Sequence, residues 1–162
     1  MDGVVVNIIP DSYDLHPFQR TGSLIRRLHQ IHTALFAEEC AAFDVTPVQY
    51  GIMSTVAQQP KLDQARLSEA AGVDRATLAN VVARLEANGL IRRTPGRLDK
   101  RQKIVTLTPR GKTILSRMRS GAFRAQERTT ECLSAPAKEK FLKLLNELIE
   151  AGGAVEPSGA VD

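Results

Sequence analysis

The sequence predicts a mainly α fold with one small β-hairpin, on three observations. Two amphipathic segments within residues 64–88 meet at a glycine turn, the arrangement of a helix-turn-helix. Two short β-branched or apolar runs, LIRRT and KIVTLT, flank a basic Pro-Gly loop just downstream. Long apolar stripes at helical spacing stand near both ends of the chain. A length of 162 residues suits one domain, and with 4% aromatic residues and no Trp the core must be aliphatic.

Residues 1–17 read as an N-terminal arm. Its apolar run VVVNII lacks a basic flank and is too short for a secretion signal. No spanning segment follows, so a soluble cytoplasmic protein with no membrane contact is expected. From residue 18 to about 43, Leu24, Ile25, Leu28, Ile31, Leu35 and Phe36 recur at helical intervals, which predicts one long amphipathic helix. Thr46, Pro47 and Gln49 then supply a cap, a first-turn proline and the third-residue partner of a capping box. The helix they open should stop before Pro60.

Residues 64–71 read as a short helix closed by Gly72, and Asp74 caps a second that reaches Asn88 and Gly89. The hairpin follows. Thr108 and Pro109 repeat the cap-plus-proline signal and open a long helix through roughly Thr130. Ser134 caps the last helix, whose Phe141, Leu144, Leu145, Leu148 and Ile149 make a strong apolar stripe, and Gly152 and Gly153 stop it. Residues 153–162 read as a disordered tail. The two terminal stripes are wider than a compact centre can cover, so a homodimer that buries them is expected.

Charge is concentrated. Residues 74–112 hold ten Lys/Arg against three Asp/Glu, an excess larger than the whole chain's net +4. Such a segment is either a solvated basic face or the footprint of a polyanion. The helix after Asp74 favours the second reading. Leu78, Val81, Val82 and Leu85 share one face, leaving Ala76, Thr77, Asn80, Ala83, Arg84 and Ala87 opposite. Small alanines permit close approach, while Thr77, Asn80 and Arg84 carry hydrogen-bonding groups that base edges accept. The alternative is an Ala-rich face packed on another helix of the same chain. Gln64 and Ser68, on the preceding helix, stand where phosphates would pass.

Three stretches together resemble the MarR (multiple antibiotic resistance regulator) family of winged helix-turn-helix proteins. They are TPVQYGIM at 46–53, DQARLSEAAGVDRATLANVVARLEANGLIRR at 63–93, and LDKRQKIVTLTPRGK at 98–112 with its Asp99-x-Arg101 pair. The likeness extends over about 18–150, and TPVQY and LDQ are similar to branches controlling aromatic-acid breakdown. It implies a winged helix-turn-helix domain at 46–112, flanked by long dimerisation helices within 18–45 and 113–152. It also implies a homodimer on a pseudo-palindromic double-stranded DNA operator, with recognition helices in successive major grooves and wings in the flanking minor grooves. Arg97 and Arg101 are then the minor-groove candidates. Lys100 and Lys103 are expected on phosphates, and Arg75 on a phosphate or a base. Asp99 is expected to brace Arg101 by a bidentate pair.

The resemblance further implies a small aromatic or phenolic ligand, an acid or its CoA thioester, in a cleft lined by the first, second and fifth helices. There Arg20, Arg26 or Arg27 would meet a carboxylate, His29, His32 or Tyr50 would add polar contacts, and Phe36 or Ile52 would form the apolar wall. Against this stand exposed arginines, a core Tyr50 and histidines that merely pack or hydrogen-bond. Some relatives sense oxidants through a cysteine, but Glu38 and Glu39 beside Cys40 would raise its thiol pKa, and Cys132 follows Glu131. No residue set combines a nucleophile, a base and an oxyanion site, so no enzyme, metal or cofactor is expected. The best reading is a ligand-responsive repressor. A redox-sensing repressor and an RNA- or protein-binding adaptor are the alternatives.

Overall fold

Thr46 opens its helix as the capping box requires. Its hydroxyl accepts the Gln49 N–H, and the Gln49 side chain accepts the Thr46 N–H. A computed structural model of the chain describes residues 20–96, 100 and 102–152. Its elements run α1 (Thr21–Glu39), α2 (Pro47–Gln58), α3 (Gln64–Ala71), α4 (Arg75–Ala87), β1 (Ile91–Pro95), β2 (Lys103–Leu107), α5 (Pro109–Thr129) and α6 (Ala135–Gly152). The expected mainly α fold with a small hairpin is therefore observed. The arm at 1–17 and the tail at 153–162 lie outside the described residues.

α1 ends at Glu39 rather than near residue 43. The Cys40 N–H closes the ladder on the Phe36 carbonyl, and beyond it three-residue turn bonds, Ala41 N–H to Glu38 and Phe43 N–H to Cys40, take over, yet Cys40 and Val45 remain buried. The apolar spacing thus continued through a turn that packs on the same core.

β1 and β2 pair antiparallel with Ile91 opposite Leu107 and Pro95 opposite Lys103. A third edge escaped the sequence reading. Asp63 bridges Ile104, and the Val105 N–H donates to the Leu62 carbonyl, so the link between α2 and α3 pins the hairpin. One bridge leaves no period-2 pattern to read.

The core is aliphatic. Ile52, Met53, Leu67, Leu78, Val82, Leu85, Ile91, Val105 and Met118 are fully buried, and Phe36 is the one buried aromatic among the described residues. α1 lies along α5, held by Glu39, which takes hydrogen bonds from Arg124 (2.6 Å) and Arg128 (3.0 Å). Those two bonds hold the Glu39 carboxyl below the usual range. α6 differs from every other helix, since none of its residues is buried within the single chain.

Candidate nucleic-acid interface

Two local signals set the helix-turn-helix. Gly72 takes a left-handed conformation (φ 63°), and its N–H and that of Val73 close the end of α3 on Glu69 and Ser68 carbonyls. Asp74 then caps α4 by accepting the Thr77 N–H at 2.8 Å. The Thr77 hydroxyl bonds the same carboxylate, and together these bonds hold the Asp74 pKa below its ordinary value. Thr77 is half-buried, so its first role is to fix the start of α4.

Leu78, Val82 and Leu85 seat α4 in the core, while Arg75, Ala76, Asn80, Ala83, Arg84 and Ala87 are exposed. Among the described residues the Ala-rich face is exposed rather than packed on another helix. Asn80 and Arg84 lie one turn apart, about 6 Å along the axis, on a surface smooth enough to enter a groove.

Gln64 is half-exposed in the first turn of α3. Ser68 requires a correction. It is 7% exposed, and its hydroxyl donates to the Val73 carbonyl at 2.5 Å, so it locks the turn and cannot serve a phosphate. On the wing, Lys100 and Lys103 are exposed, and Gly96 N–H to Gln102 carbonyl (2.8 Å) closes the loop's base. Arg97, Asp99 and Arg101 lie outside the described residues, and with them the expected brace. The brace that is visible was missed. Glu86 on α4 accepts the Arg93 N–H at 2.9 Å and its Nε–H at 2.8 Å, tying β1 to α4. These bonds lower the Glu86 pKa. The partners belong to different elements, so no local spacing marks them.

The expected ligand residues divide. A cavity of about 440 Å³ lies between α1, α2 and the helix-turn-helix turn, lined by His29, Thr33, Pro47, Val48, Ile52 and Val73 among others. It unites His29 and Ile52. Thr33, missed by sequence reading, contributes a buried hydroxyl with no hydrogen-bond partner among the described residues. Arg20, at the N-cap of α1, and the exposed Arg26 and Arg27 do not line this cavity, which also takes no residue from the fifth helix of the expected cleft.

Phe36, Tyr50 and His32 instead form a ring cluster beside it, with centroids 5.7 Å apart for Phe36 and Tyr50 and 6.5 Å for His32 and Phe36. His32 Nδ1 meets Thr129 Oγ1 at 2.9 Å. The Thr129 hydroxyl already donates to the Ala125 carbonyl, so His32 must be the donor. Burial, then His29, lowers the His32 pKa. Cys40 is 2% exposed, and burial first and Glu39 second push its thiol up, the reverse of a reactive thiolate. Cys132 is exposed. Among the described residues no helix is long and apolar enough to cross a membrane, and no group of three His, Cys, Asp or Glu gathers to hold a metal.

Comparison with known proteins agrees with this geometry. A family model described as MarR family matches residues 43–102. The transcriptional regulator HosA of Escherichia coli O157:H7 is 37% identical over 125 residues, spanning 77% of this chain and 91% of the relative. The HTH-type transcriptional repressor NicR of Pseudomonas putida is 31% identical over 133 residues, 82% of this chain and 84% of its own. Among solved structures, Bordetella bronchiseptica BpsR, whose DNA binding is regulated by 6-hydroxynicotinic acid, matches with a TM-score of 0.77 and 26% identity. That match covers 82% of this chain and 95% of BpsR.

Proposed function

The chain belongs to the MarR family of transcriptional regulators, and from that premise we propose that it is a ligand-responsive repressor acting as a homodimer on a pseudo-palindromic operator. One observation carries the reading: α4 turns Asn80, Arg84 and three alanines outward while its other face is locked in the core. Such a helix enters a major groove. Asn80 matches the N6/N7 edge of adenine and Arg84 the O6/N7 edge of guanine. Arg75, Lys100 and Lys103 neutralise phosphates, Gln64 donates a hydrogen bond to one, and Arg97 and Arg101, with Asp99 as brace, reach the minor groove.

The ligand is a small hydroxylated aromatic acid of the kind that regulates BpsR. A cavity of about 440 Å³ has room for one ring and its carboxylate. Thr33 and His29 offer hydrogen bonds, and Pro47, Val48 and Ile52 the apolar walls. Val73 joins this lining directly before α4, so an occupant bears on the recognition helix's seat as well as on α1. Release follows if the acid binds the DNA-free form more tightly, by the same factor by which it weakens DNA binding.

The test is an operator selected from random duplexes, followed by fluorescence anisotropy. Asn80→Ala should relax base preference at one position by about 1–3 kcal/mol. Lys103→Ala should weaken all duplexes alike and reduce the slope of log K against log[salt] by about one. Equal affinity of the wild type for operator and scrambled duplex would sink the repressor reading. A ligand whose affinity is unchanged by saturating operator would sink the release mechanism alone.

A further inference from the structure

The hairpin is held at one level on both of its edges. Arg93 and Val105 stand opposite each other in the ladder, and each donates its N–H away from the other strand, as in the non-hydrogen-bonded pair of an antiparallel ladder. On one edge the Val105 N–H goes to the Leu62 carbonyl, at the entry to α3. On the other the Arg93 N–H goes to Glu86 Oε1, in the last turn of α4. The row Leu62, Val105, Arg93, Glu86 therefore crosses the hairpin from the start of the helix-turn-helix to its end.

Glu86 does more than fill the edge. Its other oxygen takes the Arg93 Nε–H at 2.8 Å and an Nη2 hydrogen, so one carboxylate holds both the backbone and the planar fork of the same strand residue. Leu85 beside it is fully buried, which fixes this end of α4 in the core. Pro95, two residues along β1, has no N–H to offer a second anchor on that edge. The Arg93 and Glu86 side chains are 34% and 33% exposed, and an exposed ion pair adds little to stability. Its consequence is geometric. Lys103 stands four residues along β2 from Leu107, about 13 Å, so a tilt of about 10° at the hairpin's base moves it by about 2 Å. That exceeds the roughly 0.5 Å range of good hydrogen-bond lengths.

We propose that Glu86 is the positioning residue of the wing: it sets the angle between the hairpin and α4, and with it the spacing of the wing and major-groove contacts on the operator. This role rests on the wing being a DNA contact, as proposed above.

The angle is read first without DNA. In the wild type, N–H residual dipolar couplings of β1, β2 and α4 should fit one rigid orientation, whereas in Glu86→Ala those of the strands should no longer fit with α4. Glu86→Gln keeps an oxygen for the Arg93 N–H and should restore the fit in part. Affinity is then measured on the selected operator and on a duplex trimmed of the base pairs that flank its two half-sites. Glu86→Ala should bind the full operator about threefold to tenfold more weakly than the wild type, and the trimmed duplex within about twofold. Couplings unchanged in Glu86→Ala, no loss on the full operator, or an equal loss on both duplexes would overturn the positioning role. A wild type that binds both duplexes alike would instead remove the wing contact, and this role with it.

Discussion

At the scale of single residues, hydroxyls and imidazoles are decided by what already holds them. Ser68 on a helix facing phosphates reads as a contact, yet its hydroxyl is spent on the Val73 carbonyl. Ser68→Ala should therefore cost about 1 kcal/mol of stability in urea unfolding and leave DNA affinity under folding conditions unchanged; a uniform loss of affinity for all duplexes with stability unchanged would restore the phosphate role. His32 makes a pH prediction. Its folded pKa lies below the ordinary value, from burial first and from His29, one turn earlier on α1, second. As pH falls through roughly 6.5 the unfolded chain takes up this proton before the folded one, so the native state is penalised on the acid side. Stability should fall between about pH 7 and 5, and His32→Asn, which cannot ionise, should fall less steeply. Identical slopes in chemical denaturation would show that His32 is unpaired from folding.

Among the elements, glycine positions carry the clearest consequence. A Cβ on Gly111 would collide with the backbone carbonyl of Leu90, because α5 starts pressed against the entry to β1. Thr108 supports the same corner by donating to the Gly89 carbonyl at 2.7 Å. Gly111→Ala should thus destabilise by about 1–3 kcal/mol, whereas Gly51→Ala, mid-helix with open space around it, should stabilise by about 0.5–1 kcal/mol. A neutral Gly111→Ala in thermal unfolding would mean that the corner yields. This contrast marks what the sequence made legible. Thr46, Asp63, Asp74 and Thr108 cap their helices through bonds three residues along, so helix starts could be read from local spacing. The α4 face was legible for the same reason, being one element with one period. The Glu86–Arg93 tie, the Leu62–Val105 bond and the Thr33 cavity join separate elements, and no spacing within one element encodes them. Likewise, residue type fixes the charge of Arg20, Arg26 and Arg27 but not which cavity they line.

For the whole molecule, the unfilled requirement is α6. It carries a strong apolar stripe and buries none of it in the single chain: Leu148 is 63% exposed and Ile149 68%. Leu24, Ile25 and Ile31 on α1 are exposed as well. Burying one such side chain is worth about 1.5–3 kcal/mol, so a surface bearing several of them favours a partner over water. A second copy supplies the same stripe by two-fold symmetry, and every substitution then acts twice. It also supplies the second recognition helix that a palindromic operator needs. Leu148→Glu with Ile149→Glu should raise the dimer dissociation constant by at least about a thousandfold, read by sedimentation across a concentration series. Because no residue of α6 is buried in the single chain, the variant should keep its helix-turn-helix core fold and bind a single half-site weakly while losing the full operator. A wild-type chain that sediments as a monomer and still occupies both half-sites independently would refute the symmetric arrangement and leave α6 to some other partner.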